Sequence, residues 1–278
     1  MSVLEEKQGL AESILIKAGP LAVAFSGGAD SALLLALARK VLGDGVLALT
    51  VDSPVVPRRE LAAAKALAES LGVRHLVVPG REMELPDFFS NPRDRCRFCK
   101  RSHLLAMLEA ARAEGFPALV HGANADDPAD FRPGLLAAKE MGVAAPLAEA
   151  GLYKAEIREI SRIMGLSTWN KPSSACLASR IPTGSPVTAE KLSAVEKAED
   201  FLHDLGIGQL RVRHHGDTAR IEVTEADFPR FFDPAFRARV AGFMESLGFI
   251  YSALDLKGYR TGSLNRAIDP INNISDLQ

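Results

Sequence analysis

The chain has 278 residues, 47% hydrophobic and 24% charged, with a formal net charge of −2. This is an ordinary globular composition, long enough for a sizeable core and for one large or two smaller domains. No apolar run approaches the roughly 20 residues that span a bilayer, and near-neutral charge speaks against a strongly basic nucleic-acid binder.

The opening MSVLEEKQGL is acidic and amphipathic, unlike a secretory signal, so a cytoplasmic location is expected. Leu4–Lys17 reads as an amphipathic helix, Leu21–Phe25 as a short apolar strand and Ser31–Leu42 as a helix. Val46–Val51 is a second strand. Pro57 stands where a helix would start, and Arg58–Leu71 continues at helical spacing. Arg74–Val78 is a third strand, and a polar stretch, Pro86–Arg95, leads to two cysteines. Lys100–Glu114 reads as helix, Ala118–His121 as strand and Tyr153–Met164 as helix. Strand alternating with helix predicts an α/β fold with a parallel sheet covered on both faces. Ligands in such sheets bind beyond the C-terminal strand ends, so Ser26, Asp52 and Gly122 should converge on one crevice.

Thr168–Val187 is rich in Pro, Ser and Gly and reads as a long functional loop. Beyond it come a helix (Ala189–Leu205), two alternating runs (Gln209–Arg213 and Arg220–Val223) joined by HHGDTA, a helix (Pro234–Leu247) and a last strand (Ile250–Leu254). This αββαβ order predicts a small α+β domain. The expected division is therefore 1–185 and 186–278, with a mobile tail from Pro270.

The first strand runs into FSGGADS, Phe25–Ser31. A strand that enters a glycine turn and leaves as a helix aims backbone N–H groups and a positive helix end at an anion. The bland alternative is a tight turn with Asp30 or Ser31 as helix cap. The lysine of the G-x-x-x-x-G-K-[ST] motif is missing. S-G-G-x-D-S after an apolar strand resembles the PP-loop of ATP pyrophosphatases, which cleave ATP between the α- and β-phosphates and transfer AMP to a substrate oxygen. The resemblance implies that Ser26, Gly27, Gly28, Asp30 and Ser31 grip the departing pyrophosphate, with Mg²⁺ neutralising charge. Asp30 would then act through Mg²⁺ or by holding the turn's backbone. It also implies that Asp52 and Ser53 of VDSP lie near adenine and ribose. The acids of HGANADD, Asp127 among them, would carry Mg²⁺ or merely end a strand.

Cys96 and Cys99 form C-x-x-C, and Cys176 stands apart. Three cysteines suggest metal or reactive sulfur rather than a disulfide framework. Arg95, Arg97, Lys100 and Arg101 favour thiolate over thiol. Zinc would want a fourth ligand, which His103 or His121 could supply; a [4Fe–4S] cluster on three cysteines leaves one iron open. Spacing alone does not choose.

The blocks RCxxCK, GxNxDD…RPG, WNKPSSACLASRIP and LRVRHHGDxARIE, in this order, resemble the LarE family across nearly the whole chain. That family thiolates a pyridinium biscarboxylic acid mononucleotide on the route to the nickel-pincer cofactor of lactate racemase. One kind of member sacrifices the sulfur of a cysteine at the position of Cys176. The other carries an added C-x-x-C and resembles cluster-dependent sulfur transferases. With both Cys96 and Cys99, this chain resembles the second kind, which implies a [4Fe–4S] cluster on Cys96, Cys99 and Cys176 and a sulfide donor that reloads it.

The resemblance further implies ATP-driven adenylation of each carboxylate, then attack by sulfur on the acyl-adenylate. It gives Arg211 and Arg213, alternating on one strand face, the substrate phosphate. Arg180 would steady the adenylate, Glu199 and Glu222 could touch a second metal, and the assembly would be a hexamer-like homo-oligomer. His214 and His215 read as turn residues, and Trp169 as loop support or core. Rival readings are a tRNA-thiolating PP-loop enzyme, which needs a basic surface, an amidating ligase, which gives three cysteines no role, and a non-catalytic nucleotide sensor.

Overall fold

The computed structural model describes residues 2–127 and 133–260. Part of the RPG block and the tail from Pro270, expected to be mobile, therefore lie outside the described residues. Two compact units divide at 175/176.

The first unit opens with α1 (Val3–Ala18), capped by Ser2, whose hydroxyl accepts from Glu5 N while Glu5 accepts from Ser2 N. There follow β1 (Leu21–Ala24), α2 (Ala29–Leu42), β2 (Val46–Asp52), α3 (Arg58–Ser70) and β3 (Arg74–Pro79). A 3-10 turn at Glu82–Glu84 and the short α4 (Pro86–Phe89) lead to α5 (Arg95–Ala113), β4 (Ala118–His121), α6 (Pro133–Glu140), α7 (Pro146–Glu149) and α8 (Lys154–Ile163). The strands order as β3-β2-β1-β4, each neighbouring pair parallel. Successive strand residues point to opposite faces, and the two cores follow that alternation. Leu21, Val23, Phe25, Val46 and Ala48 meet residues of α1, α2, α3 and α8. Ala22, Ala24, Leu47, Leu49 and Val51 meet Leu104, Met107 and Ala111 of α5 and Ala138 of α6. Every residue of β1 is buried, as expected of a strand covered on both sides. Ala32–Ala38 of α2 are buried too, a helix apolar on all sides because it lies in the middle of its layer.

The second unit holds a 3-10 turn (Leu177–Arg180), α9 (Ala189–Asp204), β5 (Leu210–His215), β6 (Thr218–Val223), a 3-10 stretch (Glu225–Phe232), α10 (Pro234–Ser246) and β7 (Tyr251–Leu254). The order is αββαβ, with β5 and β6 antiparallel and β6 and β7 parallel. Leu210, Val212, Ala219, Ile221 and Val223 pack on Ala198 and Leu202 of α9 and Val240 and Met244 of α10. The cysteine-bearing part of the loop, expected to belong to residues 1–185, joins this unit instead. Arg180 ties it there by pairing with Glu199 on α9, and Arg213 of β5 donates to Ser179 O. His214 and His215 are also strand residues: pairing continues to His215↔Thr218, leaving a two-residue turn at Gly216, φ 61°, and Asp217.

Candidate active site

The end of β1 feeds a turn whose geometry leaves little freedom. Gly27 has φ 70°, and a Cβ there would stand 3.0 Å from both Cα and Cβ of Ala64 on α3. Gly122, just past β4, is equally constrained: a Cβ would lie 2.9 Å from Ser31 N. β4 therefore closes against the start of α2. Gly28 is the residue that precedes α2, and no side chain caps that helix. Asp30 and Ser31, the expected capping candidates, do other things. The Ser31 hydroxyl donates to Gly28 O at 3.1 Å and stands 3.2 Å from Ser26 Oγ. Asp30 pairs with Lys154 Nζ at 2.6 Å. The first N–H groups of α2 thus remain presented at the turn, as an anion site requires.

A cavity of ≈ 320 Å³ opens at this point. Ser26, Gly28, Asp30, Ser31, Gly122 and Asp127 line it, so the C-terminal ends of β1 and β4 do meet there. Its apolar wall comes from Phe25, Val51, Val56, Leu61, Leu104 and Met107, a surface suited to a flat base. Asp127 accepts from Asn124 N at 2.9 Å, and Asp126 accepts from Lys154 N at 2.6 Å. These acids order their own loop and fix the start of α8. Asp52, expected to converge with Ser26 and Gly122, does not line this cavity, nor does Ser53; both engage protein partners. Asp52 pairs with Arg58, and the buried Ser53 hydroxyl donates to Glu82.

Sequence reasoning gives no role to Lys171, Glu60 or Glu82, and considers His103, His121 and Lys100 only as neighbours or co-ligands of the cysteines. Lys171 donates to Gly27 O at 3.1 Å and pairs with Glu60 at 2.7 Å. Glu82 is fully buried and holds His103 Nε2 at 2.8 Å, while Cys99 Sγ lies 3.7 Å from the same nitrogen. Burial pushes His121 down to about 4, with the Lys100 charge adding to it, and burial lowers Lys100 against the opposing pull of Cys99. Lys171 does stand inside the WNKPSSACLASRIP block, but nothing in that block ties it to the glycine turn.

Cys96 and Cys99 lie in the first turns of α5, not in the stretch before a helix. Three residues apart, they share a helix face. Cys176 immediately precedes the 3-10 turn of the second unit. None of the three is in a disulfide. Among the described residues, no three His, Cys, Asp or Glu side chains gather as a metal-holding group. The donor chemistry of the three thiols suits a thiophilic metal or cluster.

In the second unit, Arg180 is 2% exposed and makes paired bonds of 2.9 and 2.8 Å with Glu199, which also accepts from Val212 N. Its Nη1 donates to Cys176 O at 2.9 Å and to Ser179 Oγ at 3.1 Å. Arg180 thereby fixes the backbone that carries Cys176. Arg213 pairs with Glu222, donates to Ser179 O at 2.9 Å, and is buried. Arg220 shares Glu222 and reaches Asp255. Arg211 stacks over Tyr259 at 5.2 Å, and burial followed by the Arg180 charge pushes its pKa down. Arg211 and Arg213 do share a face, as alternation requires. Glu199 and Glu222, considered for a second metal, hold arginines. Trp169 is 40% exposed, which excludes a core role.

Comparison with known proteins adds several relationships. The family model described as asparagine synthase matches residues 11–127. Pyridinium-3,5-bisthiocarboxylic acid mononucleotide synthase of Lactiplantibacillus plantarum is 36% identical over 95% of this chain and 96% of its own length. An uncharacterized protein of Synechocystis sp. is 41% identical over 88% of this chain and 92% of its own length. Argininosuccinate synthase of Halobacterium salinarum is 32% identical over 49% of this chain and 37% of its own length.

Proposed function

Because the chain belongs to the LarE family of PP-loop, ATP-dependent sulfur transferases, we propose that it activates the carboxylates of pyridinium-3,5-biscarboxylic acid mononucleotide with ATP and converts them to thiocarboxylates. The observation that carries this reading is end-to-end similarity to the Lactiplantibacillus synthase combined with an uncapped, glycine-built helix start at a base-sized cavity.

A carboxylate is a poor electrophile and its oxygen a poor leaving group. Its oxygen attacks the α-phosphorus of ATP, pyrophosphate leaves, and an acyl-adenylate forms. The N–H groups of the turn and of α2 stabilise the charge that builds on the departing phosphates. Sulfur then displaces AMP. The apolar wall of the cavity keeps water from the adenylate, which hydrolysis would waste.

For the sulfur, Cys96, Cys99 and Cys176 are the ligands we assign to a [4Fe–4S] cluster, which when bound offers an open iron to sulfide. Paired thiols on one face of α5 among basic side chains support that donor set. A second reading rests on Cys176 itself, whose backbone the Arg180 guanidinium holds in place. In it, Cys176 thiolate attacks the adenylate and releases AMP; elimination then frees the thiocarboxylate and leaves dehydroalanine.

The test is anaerobic purification, iron and sulfide determination, and incubation with ATP and the mononucleotide. AMP, pyrophosphate and a product with oxygen exchanged for sulfur are expected. An ATP-independent reaction, or no thiolated product, overturns the proposal. Repeated turnover with iron present supports the cluster; one turnover with loss of the Cys176 sulfur supports sacrifice.

A further inference from the structure

A P-loop carries a lysine within its own glycine motif to neutralise phosphates. The turn Ser26–Ser31 has none, yet the fold brings two lysines to it from far along the chain. Lys154, the first residue of α8, sets Nζ 2.6 Å from Asp30. Lys171 sets Nζ 2.7 Å from Glu60 and 3.1 Å from Gly27 O. Neither is a loose surface lysine: their side chains are 30% and 22% exposed. The backbone of Lys154 is held by Asp126, and Arg158 donates to Lys171 O at 3.1 Å.

The carboxylate partners, Asp30 and Glu60, line the cavity beside the turn, while Gly27 and Lys171 line a groove on its other side. Two ammonium groups thus face two carboxylates across the rim of an anion site, and their charges cancel. A phosphate chain that reaches the turn competes directly with Asp30 and Glu60 for the same donors. It offers more oxygens and more charge than either carboxylate.

We propose that Lys154 and Lys171 are the pyrophosphate-binding cations of this turn, held on Asp30 and Glu60 until phosphates displace those carboxylates. The assignment rests on the ATP-cleaving reading of the cavity and names the side chains that receive the leaving group. It also explains why both lysines sit on separate segments: each can swing from carboxylate to phosphate while the backbone of the glycine turn stays in place, Lys171 giving up its bond to Gly27 O as it moves.

Lys154→Met and Lys171→Met keep the stem and remove the charge. In a magnesium buffer, calorimetric titration of inorganic pyrophosphate is expected to show affinity lowered about tenfold or more in each variant. AMP, which lacks the leaving group, should bind within about twofold of the unsubstituted protein, and Lys171→Arg should recover part of the loss. A footprint on the unsubstituted protein needs no variant to fold. Saturating pyrophosphate should change the rate at which an amine-acylating reagent modifies Lys154 and Lys171, and AMP should not. Unchanged pyrophosphate affinity and unchanged footprints overturn the lysine assignment alone. A chain that binds neither ATP nor pyrophosphate overturns it together with the ATP-cleaving reading.

Discussion

The two units treat charge in opposite ways. Around the glycine turn, polar groups keep some access to solvent: an uncapped helix start, and lysine–carboxylate pairs, partly exposed, whose acids line a cavity. Around β5 and β6, polar groups are fully engaged. Arg180 and Arg213 each commit two nitrogens to a buried glutamate, and Arg220 shares the second one. The first arrangement can exchange its partners for a ligand with little penalty. The second cannot, because removing one member leaves a charge stranded away from water. The glycine turn therefore keeps groups that can change partners, whereas Arg180 and Arg213 hold backbone in place.

Replacing Glu222 tests this contrast most severely. Glu222→Ala strands the buried Arg213 and leaves Arg220 with Asp255 alone, and breaking such a buried pair costs about 3–5 kcal/mol. Denaturant unfolding should show the loss while AMP binding at the turn survives; equal loss of both would erase the distinction. Acid is the next lever. His121 is neutral in the fold down to about pH 4, against an ordinary value of 6.5. Below 6.5 the unfolded chain takes up a proton that the folded chain refuses. Stability present above pH 6.5 should fall by roughly 3 kcal/mol as pH drops toward 4. His121→Asn should flatten that slope in unfolding measured across the window.

Gly27→Ala follows, at about 1–2 kcal/mol for a left-handed residue with a side chain, and pressure on Ala64 should also distort the turn. ATP-dependent AMP formation should fall far more than the melting temperature; the reverse would make Gly27 a mere fold residue. Asp52→Asn comes last. The Asp52–Arg58 pair is nearly half exposed on both sides, so stability should move by no more than about 0.5 kcal/mol. A larger loss of ATP affinity from that variant would then report the nucleotide.

Much of the scaffold was legible because it follows from period and punctuation. Alternating strands and helices, glycine after an apolar strand and the αββαβ tail all leave local marks, and Ser26, Gly28, Ser31 and Asp127 do meet at one cavity. What escaped depends on distance in the chain. Lys154 and Lys171 stand more than a hundred residues from the turn they reach, and no local pattern near either of them announces the contact. The fate of Arg213 was hidden for a different reason. Alternation says which face it occupies, but the register Arg211↔Glu222 and Arg213↔Arg220 decides who meets whom there. The unit boundary differs for the same reason, since the part of the loop from Cys176 onward is tied by Arg180 to Glu199 and by Arg213 to Ser179 O, both far along the chain.

Glu82 acts as a joint between two pieces of machinery. Its oxygens serve Ser53, at the end of β2, and His103, four residues beyond Cys99 on α5. Anyone transplanting the two-cysteine helix into a relative must carry this acid and its serine along. Moved without them, the helix would bring a histidine with no anchor.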